Sequence, residues 1–406
     1  QAVGSDTSVT FRVRTKDNLG LYSPGITITT IILNNVAPTN PTNGGAFADM
    51  NQSTSYNYTF AGATDADGSV THYMVDQISN AALTVSAAEV TATSAHTFNA
   101  GAVGSDTAVT FRVRAKDNDG EYSSGVTVSM TVNAISYNVA TGGDQLDING
   151  DIDGNFKYHV FNSSGTFEIT TLGNTANTLE YFVLAGGGGG GFANEVSYSY
   201  AAGGGGAGGD LTATGLSVAE QSYTITVGAG GAQKINGTNS TIAGSGLSTI
   251  TAIGGGHGAG GFTPHYDGQD GGCGGGGAGN PGSSTRPANG GTGSQGGDGG
   301  IGNWGGNTCG AGGGGTSGNG GDFSNIGSGT STGGNGGVGT SNSITGSSVQ
   351  RGGGGGGGAG YGGGSSTAAG AAGAGGGGAG GNGAVGGNGT VNLGGGGGGA
   401  GGDYLS

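Results

Sequence analysis

The chain has 406 residues, of which 108 are glycine, six are proline and two are cysteine, and its formal net charge is −15. Glycine makes up about a quarter of it, against a usual share of about 7%, and the proline content is far too low for collagen. Phosphate contacts with nucleic acid need clustered Lys and Arg, so the acidic balance argues against that partner. No apolar run is long enough to cross a membrane, so we expect no membrane insertion.

A long motif occurs twice near the start of the chain. The sequence "AVGSDTSVTFRVRTKDNLGLYS" from Ala2 recurs from Ala102 as "AVGSDTAVTFRVRAKDNDGEYS". The spacing is that of tandem immunoglobulin-like β-sandwich repeats. Residues 1–35 are therefore predicted to be the C-terminal part of one repeat and residues 36–133 a complete one. We expect the natural polypeptide to continue upstream of Gln1.

Alternation within the complete repeat supports this prediction. In its second half Val109, Phe111 and Val113 share one face of a predicted strand, and polar residues occupy the other. Further strands are predicted at "TSYNYTFA", "VTHYMVD", "AHTFNA" and "GVTVSMTV". No segment predicts a stable helix, so the fold class is all-β.

Glycine increases along the rest of the chain. Residues 134–260 keep strand patterns, as in "NTLEYFVLA" and "QSYTITVGAG", and are predicted to form a β-rich neck. Residues 261–406 show almost no alternation and cannot build an ordinary apolar core. Any order in this last region must come from the glycines themselves.

The glycines of the last region keep a three-residue phase. In "NGGTGSQGGDGGIGNWGGN", every third residue from Asn289 to Asn307 is not glycine, and ten of the twelve residues between them are. A three-residue helix of the polyproline II type would place these side chains on one edge and leave two bare edges. Neighbouring backbones could then hydrogen-bond laterally. We predict a bundle of polyglycine II helices over 261–406, with disorder as the alternative.

The second half of the chain resembles the glycine-rich domain of tail fibres and adhesins of tailed bacteriophages. The resemblance rests on "YHVFNSSGTFEIT", "LEYFVLAGGGGGG", "YTITVGAGG", "ITAIGGGHGAGG" and "GGGGAGGNGAVGGNGT", and it covers residues from about 156 to 406. Many members close with an apolar strand, whereas this chain ends "GGDYLS". The resemblance implies a glycine-helix tip whose loops contact the host surface.

Aromatic residues of the glycine-rich region are the candidate receptor-binding residues, because small neighbours bury them poorly and rigid aromatics suit binding of proteins and sugars. They are Phe262, His265, Tyr266, Trp304, Phe323 and Tyr361. The structural alternative is that they cap the edges of the bundle or pack on the neck.

Four aspartates of the complete repeat are candidate calcium ligands. Asp65 and Asp67 lie in "TDADGS", and Asp117 and Asp119 lie in "KDNDGE". Asp-Gly turns account for all four without a metal, and we favour that interpretation. Ca²⁺ is therefore kept as an alternative, and no other cofactor is predicted.

The remaining chemistry-bearing residues predict no catalysis. The two cysteines, Cys273 and Cys309, are equally consistent with one disulfide and with two separate thiols. The five histidines show no metal-ligand spacing, and no nucleophile elbow is present. We expect a protein that is not an enzyme.

The leading functional hypothesis is a phage tail-fibre adhesin at the distal end of the virion. Its expected partners are a bacterial outer-membrane protein or surface glycan and the other tail-fibre proteins. Fibres of this kind are commonly homotrimers, whereas tips of the adhesin type can be single chains on a trimeric shaft, and the sequence favours neither. The alternative is a bacterial cell-surface or extracellular filament protein in which the glycine-rich region is a cohesive module. Ice binding is a third hypothesis, but it needs a regular row of similar small groups, and the row from Asn289 mixes Asp, Gln, Ile and Trp.

Overall fold

The computed structural model is all-β and divides into two compact units, Gln1–Ser136 and Tyr137–Ser406. Within the described part of the chain there are strands, turns and extended tracts but no helix, and hence no helix that could cross a membrane. The structure describes residues 6–42, 47–144, 151–153 (backbone only), 156–174, 177–193, 200–260, 266–279, 287–303, 309–325, 331–360 and 367–402.

The described residues of the first unit form ten strands in three sheets. The strands are β1 (Thr7–Val13), β2 (Ile26–Ile32), β3 (Met50–Asn51), β4 (Ser55–Tyr58), β5 (Val70–Asp76), β6 (Leu83–Val85), β7 (Glu89–Thr91), β8 (His96–Ala100), β9 (Thr107–Asp117) and β10 (Val126–Asn133). The complete repeat forms a five-stranded sheet in the order β3-β10-β9-β5-β7 and a three-stranded sheet in the order β4-β8-β6, while β1 and β2 form a separate antiparallel pair.

The core of the complete repeat lies between its two sheets. Phe98 of β8 stacks on Phe111 of β9 with ring centroids 5.1 Å apart, and both side chains are fully buried. Val109 and Val113 are buried beside Phe111, whereas Arg112 points to the opposite face. The alternation predicted for this strand is confirmed, since successive strand side chains point to opposite faces.

The same residues have a different environment in the first copy of the motif. Phe11 and Val13 on β1 are 47% and 48% exposed, although their counterparts Phe111 and Val113 are fully buried. The β1–β2 pair has no second sheet over it among the described residues. Burial at these positions therefore depends on the opposing sheet rather than on the motif itself.

The second unit contains fourteen shorter strands among its described residues. The strands are β11 (Val139–Thr141), β12 (Asp151–Asp153), β13 (Phe156–Tyr158), β14 (Gly165–Thr171), β15 (Thr178–Leu184), β16 (Asp210–Ser217), β17 (Gln221–Thr226), β18 (Ser240–Gly244), β19 (Leu247–Ala252), β20 (Ser324–Asn325), β21 (Ser331–Thr332), β22 (Thr340–Asn342), β23 (Val349–Arg351) and β24 (Thr367–Ala368). The longest sheet is antiparallel in the order β11-β14-β17-β18-β19, and β15 pairs with β16.

The glycine runs between these strands lie side by side and are joined by backbone hydrogen bonds. In the tract 202–209, every third amide donates to the same neighbouring tract. One neighbouring tract accepts the amides of Ala202, Gly205 and Gly208, at Ala400, Gly397 and Gly394 respectively. A second accepts those of Gly203, Gly206 and Gly209, at Ala259, Gly256 and Ile253. A third accepts those of Gly204 and Ala207, at Ala311 and Gly314. Successive amides thus point in three directions in turn, towards the three neighbouring tracts that accept their hydrogen bonds.

Close approach of the backbones explains why these positions are glycine. A Cβ atom added at Gly188 would overlap the carbonyl of Gly256, and one at Gly205 would overlap the carbonyl of Gly188. The three alanines Ala202, Ala207 and Ala259 are buried among the tracts, so a methyl group is accommodated only at selected positions. Lateral hydrogen bonding satisfies the buried amides, which an isolated extended chain leaves unpaired.

The three-residue phase of the sequence corresponds to the three-residue rotation of the tracts in the structure, but the run from Asn289 is not straight. Thr292, Asp298 and Ile301 are in phase with Asn289, and the amide of Gly299 donates to the carbonyl of Gly291. The chain therefore folds back on itself between Gly291 and Gly299. Asp298 and Ile301 are exposed, whereas Gly300 and Gly302 are buried. The run thus forms two short tracts instead of one long one.

Candidate functional site

The glycine tracts have two ends with different surroundings. At one end, β15 ends at Leu184, β16 begins at Asp210 and β19 ends at Ala252, and the amide of Ala185 donates to the carbonyl of Gly209. Val183, Ala185 and Ala252 form a small buried cluster there. We call this the sheet end, because the tracts start from the strands at this end.

The opposite end is built from residues that are far apart in sequence. Ala201 bridges to both Gly279 and Gly401, and Ala359 bridges to both Cys309 and Asn382. The amide of Gly358 donates to the carbonyl of Ala202, which links the two groups. We call this layer, defined by Ala201, Gly279, Cys309, Ala359 and Gly401, the loop end.

The chain leaves and re-enters the glycine tracts repeatedly at the loop end. Tyr200 accepts a hydrogen bond from Gly402, and Asn303 donates to the carbonyl of Cys309. Ala278 donates to Tyr266, the first described residue after Gly260. Tracts that are separate in sequence therefore meet in one buried layer of the second unit.

The predicted receptor-binding aromatics divide between described and undescribed residues. Tyr266 is half-buried, and its carbonyl accepts the amide of Ala278 in the loop end. Phe323 is also half-buried, and its amide donates to the carbonyl of Ile301. The other four, Phe262, His265, Trp304 and Tyr361, lie outside the described residues.

In sequence, those four residues are close to described residues of the loop end. Phe262 follows Gly260 by two positions, Trp304 directly follows Asn303, and Tyr361 directly follows Gly360. The sequence distinguishes the six candidates as large aromatic residues among small and polar neighbours. Among their described neighbours, Asn303 donates to the carbonyl of Cys309, and Gly360 directly follows Ala359.

Asx side chains line the outer edge of the tracts and pair with backbone amides. Asp267 and Asp270 accept from the amides of Asn289 and Thr292 at 2.8 and 2.6 Å. Asn319 and Asp322 pair in the same way with the next tract, at Asp298 and Ile301. This arrangement was not predicted, although the spacing of three positions between the Asx residues of each pair is visible in the sequence. Its role is to satisfy edge amides that have no further glycine tract beside them.

Both cysteines are free and buried in the structure. Burial raises the pKa of each thiol to about 12, so the reactive thiolate form is suppressed at neutral pH. Of the two alternatives from the sequence, the structure has the separate thiols. They pack as small apolar groups between the tracts.

The four aspartates considered as calcium ligands have distinct environments. Asp117 is buried and accepts the amides of Asp119 and Glu121, as expected for an Asp-Gly turn, whereas Asp119 is exposed. Asp67 accepts the amide of Val36, and burial together with the neighbouring Asp67 raises the pKa of Asp65. No group of three or more His, Cys, Asp or Glu side chains that could hold a metal is found in the described ranges.

Comparison of the chain with protein-family models, curated proteins and solved structures gives no match.

Proposed function

We propose that the chain is a receptor-binding adhesin of a bacteriophage tail fibre. The glycine tracts of the second unit would be polyglycine II helices packed as a tip, and the first unit would belong to a series of immunoglobulin-like spacers. The observation that carries the proposal is the loop end, where tracts from many parts of the sequence are paired in one layer.

The bonding of the tracts supports a rigid scaffold for this surface. The amides of 202–209 find partners on three neighbouring tracts, as polyglycine II packing requires. Binding residues are often placed on loops that a rigid scaffold positions. A glycine interior can hold many short loops close together because no side chains separate the tracts.

The receptor would be a protein or glycan of the bacterial surface. Aromatic side chains next to polar groups are suited to both, since they combine apolar contact area with hydrogen bonding. Residues within a few positions of the loop end provide such groups, with Trp304 and Tyr361 among them. The acidic charge of the chain is consistent with a partner other than nucleic acid.

The proposal is tested by binding of the purified, fluorescently labelled full chain to a panel of bacterial strains, measured by flow cytometry. We expect saturable binding to at least one strain. Trp304→Ala should weaken this binding at least about tenfold, the usual effect of removing an aromatic hot spot. The matched control is Val391→Ala, since Val391 is an exposed apolar residue two positions before Leu393, whose carbonyl accepts the amide of Gly352 close to β23.

Two outcomes would contradict the adhesin assignment. One is the absence of binding to every strain tested. The other is binding that is weakened by Val391→Ala but not by alanine substitution of any of the six candidate aromatic residues. Self-association of the chain without cell binding would instead support the cohesive-module hypothesis.

A further inference from the structure

A histidine lies in the hydrophobic core of the complete repeat. The side chain of His96, on β8, is fully buried and packs against the rings of Phe60 and Phe98, whose centroids lie 5.5 and 6.2 Å from that of the imidazole. Both phenylalanine rings are fully buried as well. The imidazole therefore occupies the position of an apolar side chain in a cluster of aromatic rings.

The same imidazole forms a polar contact between the two sheets of the repeat. Its Nε2 atom lies 3.3 Å from the carbonyl oxygen of Ala88, the residue directly before β7. That oxygen also accepts the amide of Val75 on β5 at 2.7 Å. Because β8 belongs to the three-stranded sheet and β5 and β7 to the five-stranded sheet, His96 links the two sheets across the core.

The contact with Ala88 determines which ring nitrogen carries the proton. A carbonyl oxygen can only accept a hydrogen bond, so Nε2 is the donor and Nδ1 is the unprotonated nitrogen of the neutral ring. The Nδ1 atom is buried too. A second proton on the ring would therefore place a positive charge inside the apolar core, where a charge is costly unless it is paired.

The titratable groups around His96 do not supply a negative charge. Tyr58 lies opposite His96 on β4, and Tyr73 is buried on β5. Apart from such tyrosines, the buried core residues are apolar. Glu89 begins β7, but its Oε1 is bound by Lys116 Nζ at 2.9 Å. Within the described ranges, no charged side chain contributes to the pKa shift of His96.

The pKa of His96 is lowered from its ordinary value of 6.5. Burial is the main cause, and the backbone of Ala88 and of Tyr73 offsets it in part. As the pH falls below about 6.5, the unfolded chain binds a proton that the folded repeat excludes. The stabilisation by the neutral ring is thus complete above about pH 6.5 and is lost as the pH falls from there towards the lower folded value.

We propose that His96 makes the complete repeat a pH-responsive module, which is stable in neutral medium and opens more readily in mildly acidic medium. Opening separates the two sheets, brings water to the imidazole and lets Nδ1 accept a proton. Histidine is suited to this role because it is the side chain whose ordinary charge change falls between pH 5 and 8. The property belongs to the first unit and does not depend on receptor binding by the second.

The experiment is amide hydrogen exchange of the full chain, expressed as protection factors so that the intrinsic pH dependence of exchange is removed. Protection of β8 and β9 reports opening of the core of the repeat. Between about pH 7.5 and pH 5.5 we expect this protection to fall by about threefold to tenfold in the wild type, since one proton changes the folding equilibrium by at most about tenfold per pH unit. His96→Gln should abolish the decrease, because a glutamine amide can still donate to Ala88 but does not titrate.

His72→Gln is the matched control, since His72 is a half-buried histidine on β5 of the same repeat, with its Nδ1 3.0 Å from Thr71 Oγ1. This variant should keep the wild-type decrease. The proposal is overturned if the protection of β8 and β9 in the wild type does not change over this pH range, or if the wild type and His96→Gln lose it equally.

A measurement on the wild type alone decides the question if His96→Gln fails to fold. The chain has five histidines, and nuclear magnetic resonance of the histidine-labelled protein follows the protonation of each imidazole. We expect one imidazole to stay neutral down to about pH 5.5 in the folded protein. Titration of all five imidazoles near pH 6.5 would overturn the proposal.

Discussion

Single glycines in the second unit are required by the backbone of a neighbouring tract. Gly205 donates to Gly397, and its hydrogen atoms face the carbonyl of Gly188. Gly230 is exposed, and a Cβ atom added there would lie 3.8 Å from the carbonyl oxygen of Gly187, which is an ordinary contact distance. The two residues are chemically identical, and only their surroundings differ.

The first prediction follows from this difference. Gly205→Ala should lower the free energy of unfolding by about 1 to 3 kcal/mol or more, the usual cost of overpacking, because the obstructing atoms are backbone atoms that cannot rotate away. Gly230→Ala should be neutral within about 0.5 kcal/mol or slightly stabilising. Urea unfolding of the two variants measures both effects, and equal stabilities would show that the tracts are not closely packed.

Strands β5 and β9 are joined by ionic contacts on the face opposite the core. Asp76 accepts two hydrogen bonds from Arg112, both at 2.8 Å, and a third from Arg114 Nη2 at 2.7 Å. The hydrogen bonds from Arg112 are the main reason that the pKa of Asp76 lies below its ordinary value of 3.8. The side chain is 17% exposed, so solvent screens these contacts only in part.

The second prediction concerns the pH dependence of this group. A lowered pKa means that the ionised Asp76 stabilises the fold above its ordinary pKa, and that this contribution is lost as the pH falls from about 3.8 towards the lower folded value. Asp76→Asn should destabilise the repeat by about 1.5 to 3 kcal/mol at pH 7, the range for hydrogen bonds to charged groups.

Urea unfolding of the wild type and Asp76→Asn at several pH values tests this expectation. The difference in free energy of unfolding between the wild type and Asp76→Asn should decrease as the pH is lowered below about 4. Asp119→Asn is a suitable control because Asp119 is exposed and forms no ion pair in the described ranges. If the difference in free energy of unfolding stayed constant down to about pH 2, ionised Asp76 would not be the group that stabilises the repeat.

At the scale of the whole molecule, the order of the second unit depends on contacts between distant parts of the chain. Gly188 accepts the amide of Gly397, and Gly205 accepts the amide of Gly355. Ordering glycine costs more backbone entropy than ordering any other residue, so no tract is expected to be stable alone. The tracts should therefore gain and lose their structure together.

The third prediction is a pattern of amide hydrogen exchange. Amides of residues 202–209 should be strongly protected together with those of their partners around Ala259, Ala311 and Gly397. Gly205→Ala should accelerate exchange in all of these tracts, whereas Gly230→Ala should not. Uniformly fast exchange over the described residues from 266 to 402 would mean that the region is a disordered tail, and the adhesin proposal would lose its scaffold.

Much of the strand content could be predicted because alternation is a local signal. The predicted segment "VTHYMVD" coincides with β5, and the apolar face of Val109, Phe111 and Val113 is buried as expected. The reversal between Gly291 and Gly299 was not predicted, since each half keeps the same three-residue phase. The position of Asn35 against Asp117 was also not visible, because it depends on two segments 82 residues apart in sequence.

The spacing of neighbouring residues was enough to predict the all-β class, the repeat and the three-residue phase of the glycine tracts. Contacts between distant segments, in contrast, leave Phe11 exposed and Phe111 buried, and they pair the separate tracts at the loop end. These properties depend on which distant segment lies opposite a residue. Because the glycine tracts are nearly identical in sequence, the sequence of one tract does not indicate which other tract lies beside it. The packing of the whole unit determines these pairings.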